Sequence, residues 1–476
     1  MRDIIYGRVL ARYSHLYSAI NGSRNITVNR KFKSRVLHWM GVYLISMHSI
    51  VAQAAEEPNI AQKRIPLTQL TVTPMQESMP LEIDLSSIFS DFRDAATNLY
   101  FHYGDHHSLN ETSCQFMNAL KSIYHGRLDT AETLLKEIAS QTDEKQMLED
   151  VQTLLVIIYQ GQDKVGPLLD LVDSNPSLID KGVIDRGEVI SMRGRKDGKF
   201  PTEETFFHDG PVTLPIRLAI SGTPELEVEI NGVKEWFWLD TGASGTLIAS
   251  DVAEAMRIQV GEPFHVDNLG SPLTLRGAMI DSLKFGPMTL KNYGAAIMDE
   301  RILRIAGKRI PGIIGWPVLR RLRMEFDYAH KTVTLQSSEM RENPNRNFFW
   351  FDYPFVRLLS PKGVPLNFGL DTGADATRYK TNLLKKMTDL RAEEVTVRGA
   401  DALGHIASDE GQMLDKVSFL VNNALLDFRH IKTTLGVSAR FIAPDGRLGA
   451  DIFRQGKVFL DYPAGVFRIT VFDTEP

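Results

Sequence analysis

The tripeptide Asp-Thr-Gly occurs twice in the chain, at 240–242 and at 371–373, and an alanine follows each copy. An apolar segment precedes both copies, Phe-Trp-Leu at 237–239 and Phe-Gly-Leu at 368–370. One copy of so short a motif can arise by chance in a loop. Two copies in matching contexts indicate an internal duplication that brings two aspartates into equivalent positions.

Two carboxyl groups held close together can hydrolyse a peptide bond without a metal or a nucleophilic side chain. One carboxylate activates water as a base while the other, protonated, acts as an acid toward the carbonyl oxygen. A pair supplies both functions because like charges about 3 Å apart cannot both ionise. We therefore predict that Asp240 and Asp371 form an intramolecular pair that acts on a peptide or protein substrate, with no metal and no cofactor.

The residues that follow each aspartate have predicted supporting roles. Thr241 and Thr372 can each hydrogen-bond across to the opposite loop and hold the pair rigid. Gly242 and Gly373 permit a tight turn and a close approach of the backbone. These four residues are the predicted supporting loops of the site.

A second shared string follows each motif. It runs from Gly315 to Asp327 in the first copy and from Gly449 to Asp461 in the second, with the same spacing. We expect the apolar residues just before the two glycines to pack behind the aspartate loops. The two aspartates that close the strings are expected to finish a strand or a turn rather than to act chemically.

Residues from about 211 to 474 resemble the aspartic-protease clan, and within it the bacterial retropepsin-like aspartyl proteases. The resemblance rests on the two Asp-Thr-Gly-Ala motifs, on the string at 281–286, and on the later glycine string with its closing aspartate. It implies two β lobes related by a pseudo-twofold axis, with a substrate cleft between them. The implied activity is that of an aspartic endopeptidase.

The resemblance also assigns roles to individual residues. It implies that Asp240 and Asp371 are the catalytic pair and that the adjacent threonines interlock. Asp375 stands where retroviral enzymes use a carboxylate to hold the substrate backbone, and Ser244 takes that position in the first copy. The glycine-rich flap string of retroviral enzymes is missing, and the best flap candidates are hairpins near 268–271 and 399–404.

The sequence also predicts the domains that position these loops. The predicted fold class is multidomain, with an N-terminal α-helical region of helical-hairpin type followed by an all-β bilobal aspartic-protease fold. The predicted segments are 1–55 as signal peptide or N-terminal extension, 56–80 as linker, 81–200 as a helical, tetratricopeptide-like domain, 211–340 as lobe 1 and 345–474 as lobe 2.

The helical prediction rests on apolar periodicity that is clearest at 116–124 and 131–139. Gly126 is placed at the end of the first helix and Asp129 at the N-cap of the second. The pair resembles one unit of a tetratricopeptide repeat, and a small helical bundle of no fixed family remains the alternative. We expect this region to pack against the rest of the chain or to bind a protein partner.

The N-terminus carries the pattern of an export signal. A basic stretch at 30–35 precedes an apolar run at 36–51, and small residues follow at Ala52, Ala54 and Ala55. The run is short and interrupted by polar residues, whereas a membrane span needs about 20 apolar residues. The pattern predicts an exported protein, periplasmic or secreted, with membrane anchoring by this segment as the alternative.

Composition narrows the classes of partner. The chain has 476 residues, of which 43% are hydrophobic and 24% charged, as in a globular protein of two or three domains. A formal net charge of -5 gives no indication of nucleic acid. Cys114 is the single cysteine, so an intrachain disulfide is excluded. His102, His106 and His107 are expected on a solvated surface rather than at a metal.

Two other interpretations of the duplicated motif stay open. The lobes could bind peptide without cutting it, as an inactive scaffold with a helical interaction domain. Alternatively, each lobe could pair with its twin in a homodimer. Ala243 and Ala374 add an expectation about pH, because a hydroxyl at these positions would stabilise the ionised carboxylates. Its absence predicts activity in mildly acidic to near-neutral solution.

Overall fold

The fold is described from a computed structural model of the chain. It describes residues 69–74, 85–181, 183–184, 189, 192–193, 201–268, 271–305, 307–351, 353–400, 406–422, 424–434 and 441–471. The predicted signal segment, residues 1–55, lies outside the described residues. Within the described ranges, no helix is both long enough and apolar enough to cross a membrane.

Helices occupy the first part of the described chain and recur briefly in the β region. They are α1 (Phe92–Thr97), α2 (Tyr103–His106), α3 (Glu111–Tyr124), α4 (Leu128–Gln141), α5 (Lys145–Gly161), α6 (Val165–Ser174), α7 (Ser177–Asp180), α8 (Ser250–Ala255), α9 (Trp316–Leu319) and α10 (Asn382–Lys386). Two short 3₁₀ helices span Ser86–Ile88 and Ala450–Gln455.

Strands dominate the remainder. Those of the first lobe are β2 (Glu204–Phe207), β3 (Val212–Leu218), β4 (Pro224–Ile230), β5 (Val233–Leu239), β6 (Leu247–Ala249), β7 (Gln259–Asn268), β8 (Ser271–Phe285), β9 (Met288–Met298), β10 (Arg304–Ile305), β11 (Lys308–Arg309), β12 (Gly312–Ile314), β13 (Leu322–Asp327) and β14 (Thr332–Ser337). Those of the second lobe are β15 (Phe348–Trp350), β16 (Pro354–Leu359), β17 (Pro365–Leu370), β18 (Arg378–Tyr379), β19 (Ala392–Ala400), β20 (Ile406–Val421), β21 (Ala424–Thr433), β22 (Gly446–Leu448), β23 (Gly456–Asp461) and β24 (Val466–Val471). A further strand, β1 (Gln69–Pro74), precedes the helices.

The two lobes repeat one strand arrangement. In lobe 1, β5 lies parallel to β12, and β12 is antiparallel to β6, which is in turn parallel to β9. In lobe 2, β17, β22, β18 and β21 make the same three pairings in the same orientations. This duplication, after a helical N-terminal region, confirms the predicted fold class.

Buried apolar strands carry the chain into both aspartate loops. All six residues of β17 are buried, as are the last three of β5. Full burial of a large apolar side chain contributes about 1.5–3 kcal/mol. Side chains such as Phe237 and Phe368, both fully buried, therefore fix the strand ends from which the loops begin.

The lobes join through one antiparallel pairing, β13 with β23, flanked by β14 and β24. Asp327 and Asp461 are the last residues of the two joining strands. Asp327 Oδ1 accepts a hydrogen bond from the backbone N–H of His330 at 3.1 Å, and Asp461 Oδ1 accepts one from Ala464 at 3.1 Å. Both carboxylates thus close the turn after a strand, as the sequence predicted.

The helical region contains the predicted hairpin, α3 followed by α4. Gly126 adopts a positive φ of 80° just after α3, a conformation that glycine reaches without strain. The N-cap prediction for Asp129 is wrong, because α4 already begins at Leu128. Asp129 instead accepts a hydrogen bond from Lys164 Nζ at 3.0 Å. The resemblance to a tetratricopeptide repeat stays a prediction.

The helical region packs against both lobes. Tyr124 donates a hydrogen bond to the Arg346 carbonyl at 2.6 Å, and Arg320 of lobe 1 donates to the Gly161 carbonyl at 3.2 Å. On lobe 2, the amide of Asn367 donates to a helical-region carbonyl at 3.1 Å. The helical region therefore packs against the rest of the chain, which is one of the two roles expected for it.

The segment predicted as a linker, 56–80, contains a strand. Its residues 69–74 form β1, which pairs antiparallel with β21 at the edge of the lobe 2 sheet. Leu70 and Val72 alternate with polar residues and are buried, which gives the segment the period of a half-buried strand. The prolines that suggested a linker lie at or outside the ends of this strand.

Candidate active site

The two aspartates follow directly after β5 and β17. The backbone N–H of Asp240 donates to the Ile314 carbonyl at 3.0 Å, and that of Asp371 donates to the Leu448 carbonyl at 3.0 Å. The residues before Gly315 and Gly449 therefore lie behind the loops, where the sequence placed them. Each aspartate is thus held at its backbone by the strand that supports its loop.

The threonines of the two loops interlock. Thr241 Oγ1 donates to the Leu370 carbonyl at 2.8 Å and accepts from the Thr372 N–H at 3.0 Å. Reciprocally, Thr372 Oγ1 donates to the Leu239 carbonyl at 2.6 Å and accepts from the Thr241 N–H at 2.9 Å. Four buried hydrogen bonds therefore fix one loop against the other.

The glycines let the loops approach closely. A Cβ built on Gly242 would lie 2.7 Å from Asp371 Oδ1. A Cβ on Gly373 would collide with Asp240 Oδ2. Each glycine thus faces the carboxylate of the other loop, and any side chain there would push the two aspartates apart.

The carboxyl groups are buried and differ in their hydrogen bonds. Both aspartates are 1% exposed. Asp240 Oδ1 accepts from the Gly242 N–H at 2.8 Å, while Asp371 Oδ1 accepts from Gly373 and Ala374, each at 3.1 Å. Burial, followed by the negative charge of Asp371, raises the pKa of Asp240 well above its ordinary value. This favours Asp240 as the protonated member of the pair.

An arginine that the sequence reasoning missed contacts Asp371. Arg447 Nη1 lies 3.4 Å from Asp371 Oδ2, and the arginine is 5% exposed. The corresponding residue of lobe 1 is Ile313, because Ile-Ile-Gly at 313–315 matches Arg-Leu-Gly at 447–449. That substitution of a cation for an apolar residue, visible when the two copies are compared, was the available signal.

A buried tyrosine of lobe 2 lies near the aspartate pair. Tyr353 precedes β16 and is 3% exposed. Burial, followed by the charge of Asp371, raises the pKa of Tyr353 well above its ordinary value. From the strand registers, Thr223 occupies the matching position of lobe 1. The surroundings of the two aspartates therefore differ in charge and in size.

The two candidate substrate-binding residues lie in different environments. Ser244 is exposed, and Asp375 is partly buried. The charge of Asp375 raises the pKa values of Arg378 and Lys432, against the larger opposing effect of burial. Asp375 thus lies among cations of lobe 2, and its predicted contact with a substrate backbone stays a prediction.

Long hairpins occur at both flap candidates. β7 and β8 pair up to Asn268 and Ser271, and β19 and β20 pair up to Ala400 and Ile406. The connecting residues, 269–270 and 401–405, lie outside the described residues. The hairpins themselves occur in equivalent places of the two lobes.

Histidines form no metal site with acidic or cysteine side chains in the part of the chain that is described. His102 Nδ1 instead lies 2.9 Å from Asp105 Oδ2, and both side chains are exposed.

Comparison with known proteins finds a sequence similarity in lobe 1. Residues 226–318, which include the first Asp-Thr-Gly loop and its supporting string, match the family model of the aspartyl proteases. The chain is similar to a retropepsin-like aspartic protease from Rickettsia conorii, at 17% identity over 28% of this chain and 91% of that chain, with a TM-score of 0.20. Nothing among the curated proteins matched the chain. The part of lobe 1 that carries the first Asp-Thr-Gly loop is thus similar in sequence to the aspartyl proteases.

Proposed function

We propose that the chain is an aspartic endopeptidase whose catalytic pair is Asp240 and Asp371, acting within one molecule. The observation that carries this proposal is the reciprocal fit of the two loops. The threonines exchange four hydrogen bonds, and each glycine leaves room for the opposite carboxylate. The fit holds two carboxyl groups side by side out of water, where they disfavour each other's ionisation, and such an arrangement is typical of functional sites.

The raised pKa of Asp240 supports a role for Asp240 as the general acid and for Asp371 as the general base. With Asp240 protonated and Asp371 ionised, Asp371 takes a proton from a water molecule as the water oxygen attacks the carbonyl carbon. Asp240 gives its proton to the carbonyl oxygen, which yields a neutral tetrahedral diol. Asp371 then passes its proton to the amide nitrogen while Asp240 recovers one from the diol. The C–N bond breaks and releases an acid and an amine.

A direct test uses the full chain with unfolded casein as substrate. We expect release of small peptides by the natural sequence and none by Asp371→Asn, which retains the shape of the side chain but cannot act as the base. The control is Asp389→Asn, at a solvent-exposed aspartate of lobe 2. If the natural sequence binds casein without cutting it, the domain is a peptide-binding scaffold and the proposal is wrong.

We also propose that the protein is exported, on the strength of the apolar run at 36–51 and the small residues after it. The mature chain should then begin near Ala55 or Glu56. N-terminal sequencing of the protein from its native cells measures this. An intact Met1 or an intact apolar run on membrane-bound material would contradict export.

A further inference from the structure

Three cations lie side by side across neighbouring strands of lobe 2. Arg378 of β18 is the register partner of Lys432 in β21 on one side and of Arg447 in β22 on the other. Residues opposite each other in adjacent strands project from the same face of a sheet. Lys432, Arg378 and Arg447 therefore form one row, which we call the cationic row.

The matching row of lobe 1 is entirely apolar. Leu247 of β6 is the register partner of Ala296 in β9 and of Ile313 in β12. Because the strand pairings of the two lobes correspond, Ala296, Leu247 and Ile313 occupy the positions of the three cations. We call these residues the apolar row. The duplicated fold thus presents two equivalent rows of opposite chemical character.

The cationic row points toward the aspartate pair. Its last member, Arg447, has Nη1 3.4 Å from Asp371 Oδ2. A fourth cation, Lys380, follows two residues after Arg378. Burial, followed by the charge of Arg447, lowers the pKa of Lys380 to about 8. Positive charge is therefore concentrated on the lobe 2 side of the site.

Packing alone does not explain this concentration. Like charges placed opposite each other in a sheet destabilise it, and burial lowers the pKa values of both Arg378 and Lys432. The negative charge of Asp375 offsets only part of this effect on Arg378 and Lys432. An anionic group that enters from outside the chain would offset this unfavourable charge.

We propose that the cationic row is a specificity subsite for an aspartate or glutamate side chain of the substrate, next to the bond that is cut. The apolar row takes an apolar side chain on the other side of that bond. This inference rests on the proposed function, because it places a peptide between the two lobes. The enzyme should therefore prefer bonds that join an apolar residue to an acidic one, in a single order.

The test uses internally quenched peptides of one common sequence with Leu-Glu, Glu-Leu, Leu-Gln, Gln-Leu or Leu-Leu at the centre. We expect one of the two Glu peptides to be cut with a kcat/KM about tenfold or more above its Gln counterpart, as for hydrogen bonds to a charged group. In the double variant Arg378→Leu/Lys432→Ala, which copies two residues of the apolar row, that preference should disappear while Leu-Leu cleavage persists. Lys385→Ala, at an exposed lysine of the same lobe, should leave the preference unchanged.

A binding measurement separates this inference from the proposed function. Fluorescence anisotropy of the labelled peptides on Asp240→Asn, and on Asp240→Asn combined with the double variant, reads the subsite without cleavage. Tighter binding of the Glu peptide that is lost in the combined variant supports the subsite even if the natural sequence cuts nothing. Cleavage without preference for Glu over Gln overturns the subsite while leaving the peptidase intact. Equal binding of all five peptides overturns it as well.

Discussion

Lobe 1 and lobe 2 share the backbone arrangement that holds an aspartate and differ in the side chains that surround it. In both lobes a buried strand leads into Asp-Thr-Gly. The backbone N–H of each aspartate donates a hydrogen bond to a carbonyl of the supporting strand, at Ile314 in lobe 1 and at Leu448 in lobe 2. The threonine bonds are reciprocal to within a few tenths of an ångström. The parts that bring the acids together are thus the parts that the duplication preserved.

The two lobes differ in the side chains that surround their aspartates. Asp371 has Arg447 beside it and Tyr353 facing it, whereas the matching positions near Asp240 are Ile313 and Thr223. A homodimeric site would place identical groups on both aspartates. Fusing two lobes into one chain allows the surroundings of the two acids to differ.

The largest effect is expected from closing the space between the loops. Gly373→Ala places a methyl group against Asp240 Oδ2 and should lower kcat/KM by about a hundredfold, since a displacement of about 1 Å is enough for such a loss. Gly242→Ala should act in the same direction, because its Cβ would lie 2.7 Å from Asp371 Oδ1. Initial rates on casein measure both.

The matched control for these variants is Gly245→Ala in the first loop. A Cβ on Gly245 has no atom within 4 Å. We expect nearly unchanged rates for this variant. If Gly373→Ala were equally active, the close approach of the loops would be irrelevant to hydrolysis.

The next effect, on the free energy of unfolding, is expected from the interlocking threonines that both lobes contain. Thr241→Val removes the hydrogen bond to the Leu370 carbonyl and leaves the Thr372 N–H without its acceptor. Two buried unsatisfied groups should lower the free energy of unfolding by about 3 kcal/mol, and Thr372→Val should cost a similar amount. Urea unfolding followed by tryptophan fluorescence measures the difference.

An exposed threonine pair provides the control for this comparison. Thr213 Oγ1 and Thr334 Oγ1 lie 2.9 Å apart on the surface of lobe 1. Thr213→Val should change the free energy of unfolding by less than about 0.5 kcal/mol. Unequal losses for the two interlocking threonines would show that the lobes do not support the site equally.

A smaller effect, on the pH dependence of the rate, is expected when Arg447, which has no counterpart near Asp240, is replaced. Arg447 Nη1 lies 3.4 Å from Asp371 Oδ2, and a cation at this distance favours the charged form of the aspartate pair. In Arg447→Leu the pair should take up its second proton more readily, so the acidic limb of the pH–rate profile should move to higher pH by about one to two units. Arg447→Lys should retain most of the original position.

The control in lobe 1 is Ile313→Leu, which changes shape without charge and should leave the limb in place. An unmoved limb in Arg447→Leu, in a variant that folds and cleaves, would contradict the assigned role of the arginine. Higher turnover at every pH would show that the guanidinium obstructs the site.

The sequence predicted the parts of the site that the duplication repeats. Asp240, Asp371 and their threonines and glycines could be named because each occurs twice in the same context, and the bilobal fold followed from the same repeat. The turns closed by Asp327 and Asp461 were predictable for the same reason. A residue that occurs at the same place in both copies is unlikely to be there by chance, so a repeat within one sequence indicates which residues the fold or the site requires.

The sequence failed where the two copies differ or where a partner is distant. Arg447 was overlooked because its signal appears only when the strings at 313–315 and 447–449 are compared position by position. It also opposes the expectation drawn from Ala243 and Ala374, which considered only lost hydroxyl groups. The strand at 69–74 was missed because its partner β21 lies more than three hundred residues away.

The central claim, one intramolecular pair built from both lobes, is tested most directly by single amide variants of each aspartate. Initial rates on unfolded casein are measured for Asp240→Asn, for Asp371→Asn and for an equal mixture of the two. We predict that each variant retains less than about one hundredth of the activity, because neither acid works without the other, and that mixing restores nothing. Half of the original activity in either single variant would show two independent sites in a homodimer and would contradict this account.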